Sequence, residues 1–190
     1  VVVGTNHKFS PIELREKLSF SKRRLGQTLS LLKEKSVFKG AVILSTCNRV
    51  ELYASIEDLV AGITELQNFL CRFHEIGRER ILPYLYIYED EEAIGHLFSV
   101  ACGLDSLILG ETQILGQLKS TFIEAKNAGL TDTYLDAAFN AAITSAKGIE
   151  FLRNFPSKFS NVNRLVFWPV IHANAAAKID KFKALKSFCN

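Results

Sequence analysis

The stretch Ala41-Val42-Ile43-Leu44-Ser45-Thr46-Cys47-Asn48-Arg49-Val50-Glu51-Leu52-Tyr53-Ala54-Ser55-Ile56 decides the fold. Residues 41–45 are apolar and extended. Residues 50–56 alternate, with Val50, Leu52 and Ala54 set against Glu51, Tyr53 and Ser55. Period-two alternation is the signature of a strand, and two strands on a short polar connection read as a hairpin. The connection is Thr46-Cys47-Asn48-Arg49.

Working outward, residues 1–5 form a short apolar run, the mark of a buried strand. Ser10-Pro11-Ile12-Glu13 then opens a helix: serine to cap, proline at the first helical position, glutamate to close a capping box. Leu25, Leu29 and Leu32 mark a second helix over about 21–35, and Leu59, Ile63, Leu66 and Leu70 a third. Residues 84–88 read as another strand, and Asp90 caps the helix after it, which stops at Gly103. Two further helices carry Ile114, Leu118, Phe122 and Ala125, and then Leu135, Ala138, Phe139 and Ile143. The expected fold is α+β, a ferredoxin-like small antiparallel or mixed sheet with additional packed helices. No GxGxxG follows any strand, so a dinucleotide-binding Rossmann unit is not expected.

The chain has 190 residues, 48% hydrophobic and 23% charged, which excludes disordered and collagen-like classes. No apolar run reaches 18 residues and no signal peptide is legible, so no membrane is expected. The four cysteines form no CxxC pair, which argues against zinc and for a reducing, cytoplasmic setting. A net charge of +3 is too small to imply nucleic acid by itself, but it is uneven. Residues 151–190 hold seven Lys+Arg and a single acid, Asp180. The division expected is a domain over 1–147 and an unassigned basic tail over 148–190, either divergent or frame-shifted.

Cys47 lies in a tight polar connection between two apolar strands, which can present a side chain from a rigid platform. A cation such as Arg49 favours thiolate, the nucleophilic form. A lone cysteine is, however, usually a small core residue. His96 falls three residues after Ala93 and four before Val100, partly inward, where a satisfied buried imidazole is the usual explanation. Gln113 and Gln117 share one helix face near its start. That pattern is ordinarily a solvated face, yet it is also suited to a polar or anionic ligand that Ser106 could join.

These residues carry a family likeness. Gly4-Thr5-Asn6-His7-Lys8 with Glu13-Leu14-Arg15-Glu16-Lys17-Leu18 resembles the opening of glutamyl-tRNA reductases. Ser45-Thr46-Cys47-Asn48-Arg49-Val50-Glu51-Leu52-Tyr53 resembles their active-site signature. His96-Leu97-Phe98 through Gly103-Leu104-Asp105-Ser106 to Gly110-Glu111-Thr112-Gln113-Ile114-Leu115-Gly116-Gln117 resembles their substrate-site block, with Thr112 where proline is usual. The resemblance implies NADPH-dependent reduction of glutamyl-tRNA to glutamate-1-semialdehyde through a cysteinyl thioester, the first step of tetrapyrrole synthesis. It implies Cys47 as nucleophile, with His96 in an acid/base or positioning role. Thr46, Asn48, Arg49, Ser106, Glu111, Thr112, Gln113 and Gln117 become the substrate-binding set. It further implies NADPH as cofactor, glutamate-1-semialdehyde aminotransferase as a partner, and a homodimer formed through a domain the chain does not display. The likeness ends near Lys147, so a non-catalytic remnant that binds aminoacyl-tRNA or a partner is the alternative. A third reading makes the basic tail an RNA-binding extension.

Overall fold

A computed structural model describes residues 1–107 and 113–153. Four strands form the sheet: β1 (Val2–Asn6), β2 (Phe38–Ser45), β3 (Arg49–Ile56) and β4 (Tyr86–Tyr88). Their order is β2-β3-β1-β4, and every pairing is antiparallel. The helices described are α1 (Ile12–Leu18), α2 (Lys22–Lys33), α3 (Leu59–Phe73), α4 (Arg78–Ile81), α5 (Asp90–Ala101), α6 (Gln113–Asn127) and α7 (Thr133–Arg153). A β-α-β-β-α-β path with this order is the ferredoxin-like arrangement, with α5 to α7 added. The sheet is purely antiparallel, so the mixed option falls away.

Both faces of the sheet are covered. Ile56, on the face of Val50, Leu52 and Ala54, packs so tightly on α3 that a Cβ at Gly62 would meet its Cδ1 at 2.5 Å. On the opposite face Tyr53 meets Phe139 of α7, with ring centroids 5.4 Å apart. The edge strand β2 is masked as well. Thr121 of α6 donates to the Ile43 carbonyl at 2.7 Å, and the Ala41 N–H donates to the Leu130 carbonyl at 2.7 Å. These bonds remove a bare strand edge that other chains could pair with. In the sheet centre Gly4 lies opposite Glu51. A Cβ there would stand 2.6 Å from the Val50 carbonyl oxygen and 2.8 Å from Glu51 Cγ. Only glycine lets these strands and the Glu51 side chain share that space.

Several boundaries differ from the sequence reading. Pro11 is the N-cap of α1 with extended ψ of 159°, not its first helical residue. Ser10 turns back to the strand instead, its N–H donating to the Asn6 carbonyl at 3.1 Å, so no capping box forms. Glu89, not Asp90, is the N-cap of α5; Asp90 is its first residue, at φ 39°. Leu82–Tyr84 is a 3₁₀ turn, which shortens the strand that follows. Gly103 does end α5 as expected: at φ 69° it allows the Leu104 N–H to reach the Ser99 carbonyl and its own N–H that of Val100. α7 runs unbroken past 147 to Arg153, so the change in composition at 148 falls inside a helix. The tail from residue 154 onward lies outside the described residues. Among the described residues no helix is long and apolar enough to cross a membrane.

Candidate active site

Ser45 pairs with Val50, which leaves a tight loop centred on Thr46, Cys47 and Asn48. Arg49, placed in the connection by its sequence, already belongs to β3. The Thr46 hydroxyl organises this loop, accepting from the backbone N–H groups of Asn48 at 3.2 Å and Arg49 at 3.1 Å. Thr46 N–H in turn donates to the Arg49 carbonyl at 2.8 Å. The neighbouring turn braces it from outside, His7 N–H donating to the Asn48 carbonyl at 2.9 Å. Cys47 projects from this fixed loop and is exposed.

A shallow, open cleft lies against the loop. Thr46, Cys47, Asn48 and Arg49 form one wall. Ser106, from the segment after α5, and Gln113, Ile114 and Gln117, from the start of α6, form the other. Seven of the ten site residues read from sequence thus meet in one place, and Ile114 adds an apolar surface among them. Glu111 and Thr112 lie outside the described residues. His96 is not part of either wall.

Beneath the cleft runs a buried charge network. Strand periodicity puts Arg49, Glu51 and Tyr53 on one face of β3. Arg49 is 1% exposed and Glu51 0%. Arg49 Nη1 donates to Glu51 Oε1 at 2.7 Å and to Asp105 Oδ2 at 3.1 Å, and Nη2 donates to the Asp105 carbonyl. The positive charge expected beside Cys47 is therefore directed inward, onto two carboxylates of the protein itself. Glu51 accepts also from the Tyr53 hydroxyl at 2.6 Å, from the Tyr86 hydroxyl, and from His96 Nε2 at 2.9 Å. The His96 ring rests on Tyr88 with centroids 4.9 Å apart. His96 is linked to the cysteine loop through Glu51 and Arg49.

Burial by itself raises the Glu51 pKa. The His96 hydrogen bond, the charges of His96 and Arg49 and the Tyr53 hydrogen bond overcome it and hold that pKa at about 2. Burial and the neighbouring carboxylate push the Tyr53 and Tyr86 hydroxyls upward, so both stay protonated donors. Burial works against the Asp105 carboxylate too, but the Lys8 hydrogen bond and the Arg49 charge hold its pKa low.

Glu51, Tyr86, Lys8 and Asp105 had been given no role by the sequence reading. The available signal was the i, i+2 spacing of Arg49 and Glu51, which sets a cation and an anion on one strand face. Among the described residues no group of His, Cys, Asp and Glu could hold a metal ion.

Residues 3–151 match the family described as glutamyl-tRNAGlu reductase, N-terminal domain. The chain is 47% identical over 148 residues to a glutamyl-tRNA reductase of Geobacillus thermodenitrificans, covering 77% of this chain and 32% of that one. It is 45% identical over 148 residues to the glutamyl-tRNA reductase of Paenibacillus macerans, covering 77% and 34%. The solved glutamyl-tRNA reductase from Methanopyrus kandleri superposes with a TM-score of 0.61 at 32% identity, over 77% of this chain and 33% of that one. The chain spans about a third of the length of the curated relatives it matches.

Proposed function

The chain belongs to the glutamyl-tRNA reductase family through its N-terminal domain, and from that premise we propose that it performs the acyl-transfer half of that chemistry with Cys47 as nucleophile. One observation carries the reading: an exposed cysteine on a braced hairpin loop, facing a cleft wall of hydroxyl and amide side chains. In the proposed step Cys47 Sγ attacks the carbonyl carbon of the ester joining glutamate to tRNA. A C–S bond forms, the ester C–O bond breaks, and the tRNA terminal hydroxyl departs with a proton. Splitting one hard displacement into two easier ones is what covalent catalysis supplies.

Asn48, Ser106, Gln113 and Gln117 offer neutral hydrogen-bonding groups for the glutamyl moiety, and Ile114 a surface for its methylenes. Glu111 and Thr112 join the substrate set by sequence likeness. Thr46 holds the loop in shape. We assign Arg49 to the same work, because both its Nη groups are already bonded to Glu51 and Asp105. His96 is a positioning residue in this reading, acting through Glu51.

For the whole protein the reading extends to NADPH-dependent reduction of the thioester to glutamate-1-semialdehyde. It extends also to handover to glutamate-1-semialdehyde aminotransferase and to a homodimer built by segments beyond the described residues. The described residues do not fit NADPH: the sheet is antiparallel and lacks the strand, glycine-rich turn and helix that cradle a pyrophosphate. The reading divides the chain into a catalytic domain over 1–147 and a basic segment over 148–190, with α7 connecting them. It takes the location as cytoplasmic, consistent with three free cysteines among the described residues.

The test is release of tRNA from glutamyl-tRNA by the chain without NADPH, with an acyl adduct on the Cys47 peptide found by mass spectrometry. Cys47→Ser should abolish both and leave the circular dichroism unchanged. Equal release by the serine variant overturns the assignment. Tight binding of glutamyl-tRNA with no release by the parent chain favours the non-catalytic alternative.

A further inference from the structure

The two walls of the cleft come from distant parts of the chain. The cysteine wall belongs to the β2–β3 hairpin, and the Ser106 wall follows α5. Four hydrogen bonds from the hairpin side converge on Asp105, the residue before Ser106. Lys8 Nζ donates to Oδ1 at 2.5 Å. Asn6 Nδ2 donates to Oδ2 at 3.2 Å, and Arg49 Nη1 to the same oxygen at 3.1 Å. Arg49 Nη2 holds the Asp105 main-chain carbonyl. Asn6 is itself fixed, paired with Arg49 across the β1–β3 ladder and accepting at Oδ1 from the Lys8 N–H at 2.9 Å.

We propose that Asp105 is a positioning residue, a clasp that sets the distance between Ser106 and the Cys47 loop. This rests on the acyl-transfer reading given above, and it concerns a residue that does not line the cleft. Consecutive Cα atoms are about 3.8 Å apart. With the Asp105 carbonyl and carboxylate both tied to Arg49, the Ser106 backbone has little room to swing. An ordinary surface ion pair would do none of this, being solvated and worth little. This one differs: the Asp105 side chain is 16% exposed and the Arg49 side chain 1%. Lys8, 54% exposed, closes the clasp from outside. Because Arg49 also supports the cysteine loop, the clasp and the loop share one guanidinium, and loosening one wall loosens the other.

The experiment uses the 190-residue chain and two readouts. Amide hydrogen exchange by mass spectrometry reports the 104–107 segment with no substrate present. Glutamyl-tRNA release reports the cleft. Asp105→Asn should speed exchange in 104–107 while residues 50–56 stay protected. It should also lower the release efficiency by about tenfold or more, mainly through KM. Ser106→Ala should then reduce release in the parent background yet add less than about twofold on top of Asp105→Asn, since coupled residues are not additive. Lys8→Met, which removes a single exposed donor, should show the same pattern in smaller measure and serves if Asp105→Asn fails to fold. Unchanged exchange at 104–107 in both variants overturns the clasp, as does a full multiplicative penalty for Ser106→Ala in the Asp105→Asn background. Should the parent chain release no tRNA, the acyl-transfer reading fails and the exchange readout still decides the clasp.

Discussion

Arg49 and Glu51, two residues apart on one strand, form a salt bridge of 2.7 Å with both side chains shut away from solvent. A charge pair in such a place is expensive to desolvate, and it persists because further hydrogen bonds hold both partners. Glu51 gathers the Arg49 guanidinium, two phenol hydroxyls and an imidazole; Arg49 turns its other side to Asp105.

Removing Glu51 leaves the buried guanidinium with Asp105 as its remaining carboxylate partner. Glu51→Gln is expected to destabilise the chain by about 3 kcal/mol, the low end of the cost of breaking a buried ion pair. Pairing it with Arg49→Met should recover part of that loss, since the under-compensated buried guanidinium is then gone. Urea unfolding of the parent and the three variants checks both; equal loss in Glu51→Gln and the double variant would contradict the second expectation.

Acid sensitivity should begin at a histidine, not at the carboxylates. Burial lowers the His74 pKa from 6.5 to about 4, only partly opposed by a hydrogen bond with the Lys17 backbone. The ring sits against Phe20 and Phe73, with centroids 4.7 and 4.9 Å away, and its buried Nε2 has no partner. The unfolded chain takes up this proton near 6.5 and the folded chain only near 4, so stability falls as pH drops through that window. Burial, together with the charges of Lys8 and Arg49, lowers the His7 pKa and adds slope of the same sign. Glu51, with its pKa held at about 2, contributes fully above 4.5 and loses its share only below that. Denaturation midpoints measured from pH 7 to 4.5 should therefore decline in the parent and decline less in His74→Phe.

The three cysteines among the described residues should react in a fixed order. Cys47 is exposed, Cys71 is half-buried with its thiol pushed up by burial, and Cys102 is buried. Under limiting iodoacetamide at neutral pH, peptide mapping should find Cys47 modified first, Cys71 more slowly, and Cys102 only after unfolding. Early labelling of Cys102 would show that α5 is not seated as described.

The Thr46 hydroxyl should matter to the loop more than its methyl group does. Thr46→Val leaves the Asn48 and Arg49 amides without their acceptor, for about 1 kcal/mol of stability and faster exchange at those two amides. Thr46→Ser keeps the oxygen and should restore protection; NMR exchange rates distinguish the two.

The cysteine hairpin and the sheet it belongs to were legible because period two is a strong local signal, carried by residues 41–45 and 50–56 on either side of a polar break. Helix starts were less so. Ser10-Pro11-Ile12-Glu13 has the composition of a capping box, but Ser10 was claimed by the strand end at Asn6, a contact that local pattern does not encode. The gathering of Cys47 with Ser106, Gln113 and Gln117 followed family likeness, since residues so far apart share no periodicity. The charge network was hidden for another reason. Alternation along β3 says that its two faces differ, not that one of them meets water. Covering the face of Arg49, Glu51 and Tyr53 takes α5 and α7, elements named more than thirty residues later.

Gly4 shows how little slack this design has. Where its neighbour strand passes, a single hydrogen atom stands in the volume the Glu51 carbon chain needs. A mutation that added even one methyl there would not merely crowd a strand. It would displace the shared acceptor of a guanidinium, an imidazole and two phenols in one move, by a change to a residue that bonds to none of them through a side chain.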